Sequence, residues 1–232
     1  MKSTPQTDRR KSLILLSGGL DSAANLAFTV HFDEPVLALT IDYGQRAAKP
    51  EIEAAKKLCA HYGVEHQILD LKWLGALGGS SLTSKSIDVP EMATAKLDDL
   101  KTSQASAKLV WVPNRNGLFI NVAAAIAESR GLQQVIVGFN KEEAATFPDN
   151  SSQFIGVATL ALKYSTSNGV KVACYTDMLM KTEIVQALKN LEKPFPFHLV
   201  WSCYHSGEDT GGKMCGKCES CQRFIRATGI TP

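Results

Sequence analysis

The chain has 232 residues, a formal charge of +2, 44% hydrophobic and 21% charged residues, the composition of one ordinary globular α/β domain with a sizeable core. So small a charge offers no long-range attraction to nucleic acid, and no apolar run approaches the ~20 residues that span a bilayer. The polar start at residues 1–11 lacks a signal-peptide core, so a cytoplasmic location is expected, and the six cysteines there favour metal ligation over a disulfide framework.

In chain order, the pattern predicts a strand at 12–16, a helix at 21–30, a strand at 36–41, a helix at 50–62 and a strand at 66–69. Short apolar strands without period-two alternation suit a parallel sheet covered on both faces and joined by right-handed crossovers. From residue 74 to 107 the pattern breaks down. Gly75, Gly78, Gly79 and the polar run 102–106 predict a long, partly mobile excursion or a plain surface loop. Regularity returns with a helix at 116–131, its apolar stripe on Leu118, Val122, Ala125 and Ile126 and its end at Gly131. A strand at 134–139, a helix at 154–164, a strand at 170–174 and a helix at 181–191 follow, and the tail beyond Pro194 reads as irregular. The expected organisation is a flexible tail at 1–11, an α/β domain at 12–193 and a small module at 194–232.

Ser17-Gly18-Gly19-Leu20-Asp21-Ser22 directly follows Leu16 at the end of the first strand and opens the first helix. Two glycines allow a tight turn close to a ligand, and the free amides of the helix start, with two flanking hydroxyls, offer donors to a phosphate or pyrophosphate. The Gly-Lys-Ser/Thr of a Walker loop and the Gly-x-Gly-x-x-Gly of a dinucleotide site are both absent. A bare Ser-Gly-Gly is also what a capped helix after a strand would show; the six-residue run is more specific.

Cys203, Cys215, Cys218 and Cys221 follow C-x11-C-x2-C-x2-C, the spacing of four thiolates around one tetrahedral zinc with no open position for water. Gly207, Gly211, Gly212 and Gly216 let the backbone curl around an ion, and Lys213 and Lys217 offset the thiolate charge. An iron–sulfur cluster or redox thiols are the alternatives, with His198 and His205 as competing ligands. Cys59 and Cys174 fall in helix and strand patterns and read as core residues.

Ligands of open α/β sheets bind beyond the carboxyl ends of the strands, and the segments there are polar. Asp42-Tyr43-Gly44-Gln45-Arg46 follows the second strand, Pro113-Asn114-Arg115-Asn116 precedes a helix, and Asn140-Lys141-Glu142-Glu143 runs on to Phe147-Pro148-Asp149. Taken singly, Asp42 can start a turn, Asn114 or Asn116 can cap a helix, Glu142 and Glu143 can form a solvated face, and Lys181 can point into water. Their common location argues for a site.

On these motifs the sequence resembles the 7-cyano-7-deazaguanine synthase family of the PP-loop N-type ATP pyrophosphatases, over nearly the whole chain. SGGLDS is similar to the family's ATP loop, Asp42 to Arg46 to its D-Y-G-Q-R, Pro113 to Asn116 to its P-G-R-N, Lys181-Thr182-Glu183 to its K-x-E, and the cysteines to its zinc module. The resemblance implies a Rossmann-like domain of the adenine nucleotide alpha hydrolase type with a C-terminal zinc module, acting as a homodimer. It implies that ATP adenylates 7-carboxy-7-deazaguanine, ammonia gives the amide, and a second adenylation gives the nitrile used for queuosine. Leu16, Ser17, Gly18, Gly19, Leu20, Asp21, Ser22, Asp42, Gln45 and Arg46 then hold ATP and Mg²⁺, and Ser17, Asp21, Ser22, Arg115 and Lys181 carry the chemistry. Arg115, Asn116, Glu143 and Asp149 face the deazapurine. Many relatives carry Q-T-D-x-S-G-Y-P-D-C-R where residues 141–151 keep only the Pro-Asp core of that motif. That difference leaves open a relative that stops at the amide, or one that acts on RNA or another macromolecule. A zinc-ribbon nucleic-acid module on an inert scaffold is a further reading, disfavoured by the charge.

Overall fold

A computed structural model describes residues 9–232. Along the chain run β1 (Lys11–Leu15), α1 (Leu20–Phe32), β2 (Glu34–Asp42), α2 (Ala48–Tyr62), β3 (Glu65–Asp70), α3 (Lys72–Ala76), α4 (Leu100–Val110), α5 (Arg115–Ser129) and β4 (Gln134–Ile136). They continue as α6 (Lys141–Ala144), α7 (Ser152–Ser165), β5 (Lys171–Ala173), α8 (Lys181–Lys189) and α9 (Glu219–Thr228). The strands form one parallel sheet in the order β3-β2-β1-β4-β5, the Rossmann-like α/β arrangement that the strand-helix alternation predicts. Among the described residues no helix is long and apolar enough to cross a membrane.

Side chains alternate across the pleat, so the central strands β1, β2 and β4 each feed two cores. Ile14, Ala38 and Ile136 pack with α1, α2 and α8 on one face, while Leu13, Leu37, Leu39 and Val135 pack with α5 and α7 on the other. Both faces being covered explains the absence of polar alternation in the strands. α2 ends where Gly63 takes a left-handed φ of 70°, a conformation without cost for glycine.

Three expectations change. The 74–107 excursion is not structureless: α3 and α4 bracket it, with a short 3-10 turn at Thr94–Lys96. The Asp99 side chain caps α4 by accepting from the Thr102 amide at 2.7 Å, and α4 buries Ser103, Ser106, Ala107 and Val110, a face too polar to read as periodic. The segment is tied down as well, since Arg46 donates to the carbonyls of Ser84 and Ile87 and the Met92 amide donates to Lys217 O. α5 is rotated relative to the expected stripe: Ile120, Ala123, Ala124 and Ala127 are buried against the sheet, whereas Ala125 is exposed and Val122 half-buried. Small residues let this helix approach β1 and β4 closely. The segment after residue 194 contains α9, which docks on α8 and sends Phe224 into the same core as α1. At the other end β1 begins at Lys11, Arg9 donates to the carbonyls of Val30 and His31, and Arg10 pairs with Asp33 at 3.2 Å. The rest of the expected tail, residues 1–8, lies outside the described residues.

Phe224 is only 2% exposed. Phe224→Ala is expected to lower the unfolding free energy by about 3–5 kcal/mol in urea titrations. A loss below ~1 kcal/mol would mean that α9 is not part of the core.

Candidate active site

β1 and β4 are neighbours in the sheet, yet the helices that follow them cover opposite faces, which makes their carboxyl ends a topological switch point. A cleft of about 260 Å³ opens there. Ser17, Gly19, Leu20, Asp21 and Ser22 line it, along with Leu16. Gly18 supports the turn from behind: its φ is 83°, and a Cβ there would stand 2.6 Å from Glu51 O. A Cβ on Gly138, just past β4, would stand 2.7 Å from both the N and the Cα of Ser22. Two glycines thus let the start of α1 sink between α2 and β4.

The first-turn amides of α1 have no partner within the helix. Around them, Ser17 Oγ lies 3.0 Å from Ser22 Oγ and accepts from the Gly19 amide at 3.3 Å. The C-terminal segment clasps the same turn, with Trp201 N donating to Gly18 O at 2.9 Å and Leu20 N donating to Ser202 Oγ at 3.2 Å. Hydroxyls and amides therefore converge where an anion would enter the cleft.

Lys181, the first residue of α8, closes the wall opposite. Its side chain is 8% exposed and its ammonium pairs with Asp21 at 2.7 Å and Glu143 at 2.9 Å. Burial opposes the ammonium charge, but the two carboxylates outweigh it and hold the Lys181 pKa above its ordinary value. Burial likewise opposes ionisation of Glu143, and Lys181 overcomes it, holding that carboxyl below the usual range. For Asp21 burial wins over Lys181 and the pKa rises; its Oδ1 is buried with no partner. A lysine and two acids from three segments far apart in sequence meet at the helix start.

Further along the cleft, the Arg115 guanidinium lies over the Tyr43 ring, 5.9 Å from its centroid, and its Nε donates to Asn116 Oδ1 at 3.1 Å. Asn116 in turn donates to Asp149 O at 3.3 Å. Burial pushes the Asp149 pKa up, and its Oδ1 also lacks a partner. Gln45 lines the cleft but is spent on structure, donating to Glu51 Oε2 at 2.8 Å and accepting from the Tyr43 amide at 2.9 Å. Asp42 and Arg46 do not line it: Asp42 accepts from the Gly44 amide at 3.0 Å and pairs with Lys72 at 3.3 Å, and Arg46 holds the 74–107 segment. Glu142 is no solvated face either, since its side chain is 3% exposed and lies between Arg223 and Arg226.

The four cysteines converge as their spacing predicts. One sulfur from each lies within 4.8 Å of all the others, with Cys215 to Cys221 at 3.8 Å and Cys218 to Cys203 at 4.0 Å. Cys203 Sγ accepts from the amides of His205 and Cys215, and Cys215 Sγ from those of Lys217 and Cys218, at 3.3–3.4 Å. Amide donors of this kind favour thiolate over thiol. The cluster fits a metal ion.

Sequence reasoning left several lining residues unassigned, among them Glu51, Trp111, Phe147, Trp201 and Arg223. The rings of Trp111 and Phe147 are parallel within 5° at a 6.3 Å centroid distance, and Trp201 Nε1 is buried without a partner. Trp111 lies just before the Pro113 to Asn116 run and Phe147 opens Phe147-Pro148-Asp149, a proximity that is available as a signal. Glu51 sits in an ordinary helical pattern and Arg223 in a stretch that reads as irregular, and neither carries a signal.

A parallel α/β sheet with SGGLDS at its switch point and a cysteine cluster beside it is the framework of an α/β enzyme with an anion-binding loop. A family model described as "Queuosine biosynthesis protein QueC" matches residues 11–231. The 7-cyano-7-deazaguanine synthase of Pelotomaculum thermopropionicum is 50% identical over 217 residues, covering 94% of this chain and 96% of that protein. The protein of the same name from Bdellovibrio bacteriovorus is 49% identical over 219 residues, covering 94% and 92%. Among solved structures, NMN synthetase from Francisella tularensis aligns with a TM-score of 0.45 at 15% identity, over 97% of this chain and 89% of that one. The chain belongs to the QueC family of queuosine biosynthesis proteins.

Burial lifts the Glu51 pKa from 4.5 to about 7, although Gln45 donates to it. An acid whose pKa is raised on folding favours the folded state at low pH and loses that contribution as pH climbs through this window. The stability of Glu51→Gln relative to the parent is therefore expected to improve steadily between pH ~4.5 and ~7 and to level off above, in denaturation curves taken across that range. A difference independent of pH contradicts this.

Proposed function

We infer that the chain uses ATP to turn 7-carboxy-7-deazaguanine and ammonia into 7-cyano-7-deazaguanine. The observation that carries this reading is the buried Lys181 ammonium at 2.7 Å from Asp21 of the loop and 2.9 Å from Glu143, beside the first turn of α1. A carboxylate resists ammonia because oxide is a poor leaving group. In the first round a substrate carboxylate oxygen attacks the α-phosphorus, and the bond to pyrophosphate breaks. Ammonia then adds to the acyl carbon, sheds a proton, and AMP leaves as its C–O bond breaks, giving the amide. In the second round the amide oxygen attacks a second ATP, pyrophosphate leaves again, and loss of AMP with two N–H protons gives the nitrile.

The residues divide the work accordingly. Loop amides and the hydroxyls of Ser17 and Ser22 grip the departing pyrophosphate, and Lys181 balances charge growing on the α-phosphate. Arg115 presents a planar fork to the substrate carboxylate. Asp149, with its partnerless Oδ1 and raised pKa, suits both the donor edge of a guanine-like ring and the proton released by ammonium. Mg²⁺, when bound, neutralises phosphate charge, and Asp21 with its free Oδ1 is the fitting carboxylate, whereas Asp42 is already engaged by Gly44 and Lys72. Zinc is the ion proposed for the cysteines, because sulfur separations of 3.8 and 4.0 Å approach the ~3.8 Å edge of a tetrahedron with ~2.3 Å bonds. Its contribution is to hold the C-terminal segment against the loop. Cytoplasmic residence and a homodimer complete the proposal, with Val157, Leu160 and Tyr164 as an exposed apolar face on α7 for the second copy.

Incubation with ATP, Mg²⁺, ammonium and 7-carboxy-7-deazaguanine is expected to give two AMP per product molecule and a product lighter than the amide by one water. Asp21→Ala and Lys181→Met are expected to slow AMP release by roughly 10²-fold or more with the fold retained. ADP in place of AMP, or AMP at the parent rate from Asp21→Ala, contradicts the reading; a product that stops at the amide selects the other member of the class.

Cys215→Ser is expected to lose one bound zinc per chain by metal analysis and to unfold at a lower denaturant concentration, as a chelator should do to the parent protein. Retention of full zinc content by this variant contradicts the ligand set.

A further inference from the structure

Two consecutive glutamates of α6 hold the same lysine by its two ends. Glu143 binds the Lys181 ammonium at 2.9 Å, while Glu142 Oε1 accepts from the Lys181 backbone amide at 2.9 Å. That amide is a first-turn donor of α8 with no partner inside its own helix, and a carboxylate is the acceptor best matched to the positive end of the helix dipole. The other oxygen of Glu142 takes Arg223 at 2.8 Å and Arg226 at 2.6 Å, both from α9. Cys218 is the N-cap of α9, and Cys221 lies in its first turn. Arg223 is further fixed by Glu219 at 2.8 Å, and Glu219 accepts from Ser106 of α4. Glu142 itself does not line the cleft.

We propose that Glu142 is a positioning residue for the adenylation step. It joins the arginines of the cysteine-bearing helix to the start of α8, so that Lys181 enters the cleft at one fixed height beside Asp21. This rests on the function inferred above for Lys181. Physically, the role follows from the number of constraints: Glu183 already accepts from the Met180 amide at the start of α8, and a carboxylate anchored by two guanidinium groups adds the acceptor that the Lys181 amide lacks within its own helix. Placement matters because a charge shifted by about 1 Å from a developing phosphate charge loses much of its effect on the barrier. It also gives the cysteine centre a consequence for the cleft beyond fold stability, through α9.

Two variants test this. Glu142→Gln keeps one acceptor oxygen but gives up the ion pairs, and Glu142→Leu removes the group while leaving Arg223 with Glu219 and Arg226 with Asp98. The second leaves both cations partnered, which protects folding. Lys181 position is read without substrate, by amine acylation followed by peptide mass mapping, the buried side chain reacting slowly in the parent protein. Labelling of Lys181 is expected to accelerate about tenfold in both variants, zinc content to stay at that of the parent, and kcat for pyrophosphate release to fall about tenfold with the KM for ATP changed less than about twofold. Unchanged Lys181 labelling in either folded variant overturns the proposal, as does a parent-like kcat in folded Glu142→Leu or a loss falling on KM alone. If the parent protein released no pyrophosphate with 7-carboxy-7-deazaguanine, the functional reading would fail, and the labelling experiment would still decide whether Glu142 fixes Lys181.

Discussion

A lysine buried between two carboxylates is the constraint on which this molecule turns. Lys181 has almost no access to water and keeps its charge only because Asp21 and Glu143 stand at 2.7 and 2.9 Å. Removing either acid leaves a cation facing one partner in a poorly solvated wall, and removing the cation leaves two acids whose repulsion forces a proton onto one of them. The cluster is thus held as a set of three, with its cation already placed beside the loop.

Everything that brings those three groups together is set by close packing. Asp21 is delivered by a turn that needs glycine at 18 for its left-handed φ and glycine at 138 for want of room, and Lys181 is delivered by the first turn of α8. Glu143 comes from the four residues of α6, whose Asn140 cap accepts from the Glu143 amide at 2.9 Å. The C-terminal segment then binds the loop through Trp201 and Ser202 and reaches back through α9 to Glu142. Hydrogen bonds and ion pairs thus connect the cysteine-bearing segment, the loop and the lysine around the cleft.

Much of this was legible in the sequence, and the parts that were not share a cause. The five strands, the turn at residues 17–22 and the four cysteines depend on local pattern or spacing, which a linear reading captures. The face of α5 is hard to read because alanines carry little hydrophobic signal although they pack closest, and α4 gives no apolar period because its buried face contains Ser103 and Ser106. Asp42 and Arg46 are expected at the ligand because they follow a strand and match D-Y-G-Q-R; in the structure their side chains contact Gly44, Lys72 and the 74–107 segment. Glu142 and Arg223 are 81 residues apart, and nothing in either local sequence announces a buried ion pair.

The most direct measurement is a crystal structure with an ATP analogue that cannot be cleaved between its α and β phosphates. The account predicts the β and γ phosphates on the amides and hydroxyls of residues 17–22 and the α phosphate within hydrogen-bond reach of the Lys181 ammonium. A nucleotide bound elsewhere in the cleft, with that turn empty and Lys181 still closed on both acids, would contradict it.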